Sequence, residues 1–120
     1  YQAVILKKLG AYVYTIERHI HIYEATKKLF EKMDINIATK YGDGYLGWSE
    51  FAPFDGIVIT CGAAEVPQKL LSQLKVGGIL VVPLGESVQV MTKIVRLSET
   101  EYKTTEHGTF RFVPMLQDKE

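Results

Sequence analysis

Ala3, Val4, Leu6 and Leu9 recur near helical spacing, and the run stops at Gly10, a residue suited to the left-handed turn that ends helices. This predicts a helix tail. The next stretch, Tyr12-Val13-Tyr14-Thr15-Ile16, is short, aromatic and β-branched, which predicts a strand closed by Glu17. Between His19 and Met33, apolar Ile22, Ala25, Leu29, Phe30 and Met33 share one side while Glu24, Lys27, Lys28, Glu31 and Lys32 take the other. That is the pattern of an amphipathic helix covering a sheet. A further strand is predicted over 35–41.

Gly42-Asp43-Gly44 breaks the pattern, and a loop through Gly47, Trp48 and Pro53 leads to Phe54-Asp55-Gly56-Ile57-Val58-Ile59-Thr60. This nearly unbroken apolar run predicts a strand buried on both faces of a parallel sheet. After the small residues Cys61-Gly62-Ala63-Ala64, Pro67 can occupy the first turn of a helix reaching Leu74. Gly77-Gly78 is expected to end that region and launch a buried strand over 79–84. The stretches 89–97 and 102–113 alternate more, separated by Ser98-Glu99-Thr100-Glu101, and predict an antiparallel hairpin on the sheet's edge. Strands alternating with helices indicate an α/β doubly wound sheet, whose ligands bind in the crevice at the carboxyl ends of the strands.

Composition narrows the choice of partner. The 120 residues are 47% hydrophobic and 23% charged, enough for one soluble domain at most, and 14 basic side chains balance 14 acidic ones. A neutral chain has no electrostatic footprint for nucleic acid or an anionic membrane, so a small molecule or peptide is the expected partner. The lone Cys61 fits a reducing compartment, no apolar run approaches a membrane span, and a cytoplasmic location is expected. His19 and His21 have no ligand set at metal spacing beside them, so no metal site is expected.

Candidate chemistry lies at the strand ends. A carboxylate at Glu17 can accept hydrogen bonds from both hydroxyls of a ribose, although a solvated acid after a strand explains it as well. Asp43, set between glycines, can accept from an exocyclic amine such as that of adenine, and an ordinary Asp-Gly turn is the alternative. The small residues from Cys61 to Ala64 leave room for a substrate, or serve only a tight turn.

An ordered set of motifs carries a resemblance. Gly42-Asp43-Gly44-Tyr45-Leu46-Gly47-Trp48, Ala52-Pro53-Phe54-Asp55-Gly56-Ile57, Pro67 with Leu70-Leu71, Gln73-Leu74-Lys75, Gly77-Gly78, Leu80-Val81-Val82-Pro83-Leu84-Gly85 and Arg111-Phe112-Val113-Pro114 follow one another along nearly the whole chain. In this order they resemble the protein-L-isoaspartate O-methyltransferase family. The resemblance implies a Rossmann-like S-adenosylmethionine-dependent methyltransferase sheet with a C-terminal antiparallel hairpin. It also implies methyl transfer from S-adenosyl-L-methionine to the α-carboxylate of L-isoaspartyl residues in damaged proteins, as a step in protein repair. Glu17 and Arg18 then match the ribose side of the cofactor site, and Asp43 and Gly44 the adenine side. Ala63, Ala64 and Val113 match the substrate side.

The family's first strand, its glycine-rich cofactor loop and its hydroxyl-bearing active-site segment would all precede Tyr1, so this chain is expected to be a partial domain over 1–120 with no catalytic residue of its own. Alone it is expected to be inactive and poorly folded, or stabilised by self-association or a complementing chain. A nicotinamide-dependent oxidoreductase would share the carboxylate after a strand but leaves the Gly-Asp-Gly loop and the hairpin unexplained. A binding module acting through an exposed sheet edge is the non-enzymatic alternative.

Overall fold

A computed structural model of the chain describes residues 2–86 and 88–110, with Phe110 described by its backbone alone. The expected strand segment at 111–113, Val113 included, lies outside these residues. The chain forms two compact units, residues 2–44 and residues 45–110 among those described.

In the first unit, helix α1 (Gln2–Lys8) ends as its sequence predicts. Gly10 takes φ +98°, its N–H donates to Lys7 C=O, and Ala11 N–H donates to Leu6 C=O. This pair of bonds satisfies carbonyls that the last helical turn leaves open. Strand β1 (Tyr14–Glu17), helix α2 (Ile20–Lys32) and strand β2 (Ala38–Tyr41) follow. The strands are parallel and pair Tyr14 with Ala38 through Glu17 with Tyr41. Helix α2 joins them, as a parallel pair requires.

The covering face of α2 differs from expectation. Phe30 is its buried residue and Tyr23 packs on Tyr41 with ring centroids 6.0 Å apart, whereas Ile22, Leu29 and Met33 remain 50%, 51% and 48% exposed. A two-stranded sheet is narrower than the apolar arc of the helix, so among the described residues it is the Tyr23–Phe30 side that finds a partner.

The second unit holds strands β3 (Phe54–Val58), β4 (Leu74–Leu84), β5 (Gln89–Arg96) and β6 (Tyr102–Phe110) in the spatial order β3-β4-β5-β6. β3 and β4 are parallel, and β4, β5 and β6 are successively antiparallel, so the terminal hairpin is present at the sheet's edge as expected. The doubly wound arrangement appears as two separate sheets, β1-β2 and this four-stranded one, not as a continuous sheet.

Three local expectations are corrected. β3 is not buried on both faces: Ile57 and Ile59 point to the core while Gly56 and Val58 are exposed, because among the described residues β3 has one hydrogen-bonded strand neighbour and one covered face. Helix α3 (Gln68–Ser72) is shorter than expected, with Pro67 at its N-cap, because Gln73 C=O already accepts Phe54 N–H and Leu74 has joined β4. β4 runs through Gly77-Gly78 and does not begin after them. Its pairing with β3 jumps from Phe54–Leu74 to Gly56–Ile79, so the glycines mark an irregularity inside the strand. A side chain at Gly78 would press on the Lys75 and Asp55 carbonyls at 2.9 and 3.0 Å.

The core of this unit is Ile59, Ala63, Leu70, Leu71, Leu74, Leu80, Val82 and Ile94, with α3 packed on the inward face of β3, β4 and β5. Arg96 closes the hairpin end. Its guanidinium donates to the carbonyls of Ser98, Leu74 and Glu99, and it lies 5.7 Å from the Tyr102 ring centroid.

Leu80 has no exposed surface, so Leu80→Ala is expected to cost about 2–5 kcal/mol, whereas Val58→Ala on the exposed face should cost under about 1 kcal/mol. Urea denaturation followed by fluorescence of Trp48, the chain's single tryptophan, checks the contrast in the unit that contains both residues.

Candidate functional site

The parallel register decides what the first unit can do. Glu17 ends β1 directly beside Tyr41, the last residue of β2, and Gly42 N–H donates to Glu17 C=O at 3.0 Å. Glu17 and Asp43 therefore sit at the carboxyl ends of neighbouring parallel strands, both half-buried. This is the edge at which open α/β sheets hold ligands.

Glu17 also has a structural duty. Its Oε1 accepts the backbone N–H of His19 at 3.1 Å, fixing the turn into α2, whose N-cap residue His19 offers no side-chain cap. Arg18 Nη1 lies 3.2 Å from His19 Nε2 in the same turn. The solvated-acid reading of Glu17 therefore gives way to a held carboxylate. Past β2, a side chain at the buried Gly42 would meet only the flexible stem of Lys40, at 3.5 Å or more, and Gly44 opens a 3₁₀ turn (Gly44–Leu46). A shallow depression of about 360 Å³ lined by Phe30, Glu31, Asp34, Ile35 and Asn36 precedes β2, so it belongs to the other end of these strands.

In the second unit, the loop after β3 is tied to the end of β4. Ala63 N–H donates to Pro83 C=O at 2.8 Å and Ala63 C=O accepts Gly85 N–H at 2.9 Å. Ala63 has 0% of its surface exposed, so its side chain shapes the loop from beneath and Ala64 is the member of the pair that meets solvent. Cys61 is half-buried and packs against the core. His107, on β6, pairs with Thr105 Oγ1 at 2.9 Å.

Two buried glutamines went unrecognised in the sequence. Gln73 Nε2 donates to Leu46 C=O and its Oε1 accepts Trp48 N–H, both at 3.0 Å, so one amide grips the chain on either side of Gly47. Gly47 has φ +63°, and a side chain there would overlap the Gln73 amide. Gln89 is 1% exposed and holds the turn after β4, its Nε2 donating to Glu86 C=O at 2.9 Å. Neither residue has a periodic or spacing signal. Only the glycines opposite them, Gly47 and Gly62, hint at a close approach.

The arrangement of a β-α-β pair with acids at its strand ends, a parallel β3-β4 pair and a terminal hairpin has counterparts among solved structures. A protein-L-isoaspartate O-methyltransferase structure superposes with TM-score 0.87 at 28% identity, over 95% of this chain and 38% of that one. A Plasmodium falciparum protein of the same description, solved in complex with S-adenosyl-L-homocysteine, superposes with TM-score 0.75 at 20% identity, over 94% of this chain and 56% of that one. The fold is that of the Rossmann-like S-adenosylmethionine-dependent methyltransferases.

The sequence profile of the protein-L-isoaspartate(D-aspartate) O-methyltransferase family matches residues 1–120, and the chain belongs to that family. The Flavobacterium johnsoniae protein-L-isoaspartate O-methyltransferase is 51% identical over 120 residues, covering 99% of this chain and 56% of that protein. The chain thus spans little more than half the length of such relatives.

The duty of Glu17 toward His19 can be separated from any ligand. Glu17→Gln keeps an oxygen acceptor for His19 N–H, while Glu17→Ala removes it. Amide hydrogen exchange at His19 should quicken about fivefold in the alanine variant, as for loss of about 1 kcal/mol, and little in the glutamine variant.

Proposed function

We propose that this chain is the cofactor- and substrate-facing part of a cytoplasmic protein-L-isoaspartate O-methyltransferase that acts in protein repair. The observation that carries the reading is the parallel register of β1 and β2, with Glu17 and Asp43 at the carboxyl ends of neighbouring strands in a chain of this family. Glu17 and Arg18 hold the ribose side of S-adenosyl-L-methionine, and Asp43 and Gly44 the adenine side. The residues fit this role: half-buried carboxylates match hydroxyl and amine donors, and a side chain at Gly42 would meet nothing nearer than the flexible Lys40 stem at 3.5 Å.

When bound, the cofactor supplies an electrophilic methyl group on a sulfonium. The acceptor is the α-carboxylate of an L-isoaspartyl residue. That transfer would need no proton removed, and Glu17, Arg18, Asp43 and Gly44 would hold the group that supplies the methyl. The acceptor is already ionised near neutral pH, so no general base is required. What the protein must supply is alignment, which can lower a barrier by several kcal/mol, up to about 7–11 kcal/mol in well-oriented systems. Ala64, on the loop that Ala63 anchors, faces the peptide. The partners are proteins and peptides containing L-isoaspartyl residues, with neither nucleic acid nor membrane involved. No described helix is long and apolar enough to cross a membrane.

Further family sequence, as in the longer relatives, is one way to cover the open edges of the two parallel pairs. β1 and β3 each have one hydrogen-bonded strand neighbour among the described residues, and relatives are nearly twice as long. Self-association or a complementing chain is the other way to cover such edges.

The test is S-adenosylmethionine-dependent methylation of an isoaspartyl peptide and of its normal aspartyl twin, by the 120 residues and by the full-length natural protein. Base-labile methyl ester on the isoaspartyl peptide alone, formed by the longer chain alone, is expected. A longer chain that binds S-adenosylhomocysteine yet methylates neither peptide would refute the substrate assignment. In that longer chain Glu17→Gln and Glu17→Ala should both weaken S-adenosylhomocysteine binding about ten- to hundredfold, as for loss of charge-assisted hydrogen bonds. Isothermal titration reads the loss, and equal affinity in wild type and both variants would remove Glu17 from the site.

A further inference from the structure

We propose that Gln89 is a positioning residue for the substrate side of the site: its buried side chain sets the spacing between the loop after β3 and the turn after β4, and so the fit of the isoaspartyl peptide. This rests on the reading of residues 61–64 as the substrate loop.

The geometry starts from the carboxyl ends of β3 and β4, the parallel strand pair described in the second unit. Backbone bonds at Ala63 tie the loop to Pro83 and Gly85. On one side of that tie lies Gly62, and on the other the turn through Gly85 and Glu86. Gln89 meets both. Its Nε2 donates to Glu86 C=O at 2.9 Å and lies 3.5 Å from Gly85 C=O. Its stem lies so close to Gly62 that a side chain there would stand 2.8 Å from Gln89 Cδ and 2.9 Å from Cγ and Nε2. Gly85 is equally confined, because at φ +133° a side chain would overlap Val88 C=O.

Packing alone does not call for glutamine at this position. The other inward residues of β5 are Thr92, whose hydroxyl donates back to Val90 C=O within the same strand, and apolar Ile94. A leucine or methionine would fill comparable space without the cost of burying an amide. What an apolar side chain cannot do is donate to the turn carbonyl while its stem bears on the neighbouring loop. Both contacts lie where open α/β sheets hold ligands. Loss of Gln89 is therefore expected in peptide recognition before it is seen in the fold.

The experiment is a double-mutant cycle in the full-length natural protein, with Gly62→Ala, Gln89→Ala and the pair. KM and kcat for an isoaspartyl peptide are measured at saturating S-adenosylmethionine, alongside S-adenosylhomocysteine affinity. Each single change is expected to raise peptide KM about tenfold, and Gly62→Ala added to Gln89→Ala to cost less than about twofold more, because the side chain it would displace is gone. Cofactor affinity should stay within about twofold throughout. Independent effects of the two changes, or equal losses in KM and cofactor affinity, would overturn the proposal. Gln89→Met guards against misfolding, since it keeps length and burial but cannot donate. It should raise peptide KM while leaving the Trp48 fluorescence melt near wild type, and a lowered melt with unchanged KM would show a purely structural residue. A wild type that binds S-adenosylhomocysteine but transfers no methyl group refutes the functional reading itself, whereas an active wild type with unaltered variants refutes only the role of Gln89.

Discussion

β4 is hydrogen-bonded along both edges, parallel to β3 on one side and antiparallel to β5 on the other, and the second unit takes its coordinates from that strand. Leu74, Leu80 and Val82 on it have no exposed surface, and burial of each such side chain contributes about 1.5–3 kcal/mol. The two senses of pairing need different connections. A parallel neighbour requires a crossover, supplied by α3, while an antiparallel one needs only a turn. The loop after β3 and the hairpin end both reach back to this strand, through Ala63 to Pro83 and through Arg96 to Leu74 C=O.

Where the sheet ladder stops, amides take over. The buried polar side chains among the described residues are Gln73, Gln89 and Thr92, and each has a partner. Gln73 and Gln89 share a logic: each faces a glycine whose missing side chain leaves room for the amide, Gly47 in one case and Gly62 in the other. A primary amide carries donor and acceptor on one planar group, so it can replace a strand neighbour for a short loop. Gln73 does this literally, taking one N–H and offering one to a carbonyl across a left-handed glycine. The loops it and Gln89 hold contain little regular structure, yet they are anchored to the best-packed part of the chain.

Legibility in the sequence followed the range of the forces involved. Helix and strand periods are local, so α1 with its Gly10 stop, β1, β2 and the terminal hairpin could be read, although β1 begins at Tyr14 and β2 at Ala38, two and three residues later than expected. The misreadings concern what lies across from an element. The apolar run of β3 looked doubly buried because a run of side chains does not reveal how many faces are covered. The arc of α2 looked wholly covered because its width says nothing about the width of the sheet. Gly77-Gly78 looked like a boundary because a bulge inside a strand and a break before one use the same residue. At the candidate site, Glu17 was visible because it closes a strand pattern and Asp43 because it sits between two glycines. Gln73 was not, since its loop partners lie 25 and 27 positions away and leave no mark on the local pattern.

The proposed chemistry gives this division of labour a reason. Displacement between a sulfonium and an ionised carboxylate asks for no proton transfer, so residues near the reacting atoms are selected for where they put things and not for how they titrate. A misplacement of about 1 Å can cost roughly a hundredfold in rate. Small residues at the loop tips give room but little rigidity, because glycine leaves the backbone more conformations to lose. Rigidity must then come from groups beneath the loops, which need be neither charged nor exposed. Backbone bonds at Ala63, the Glu17 tie to His19 N–H, and the amides of Gln73 and Gln89 are of this kind. In such a site the residues that matter for rate need not be the ones that look reactive. Cys61 and the histidines offer more conspicuous chemistry, yet the fixed distances in this structure are set by two neutral amides and a backbone ladder.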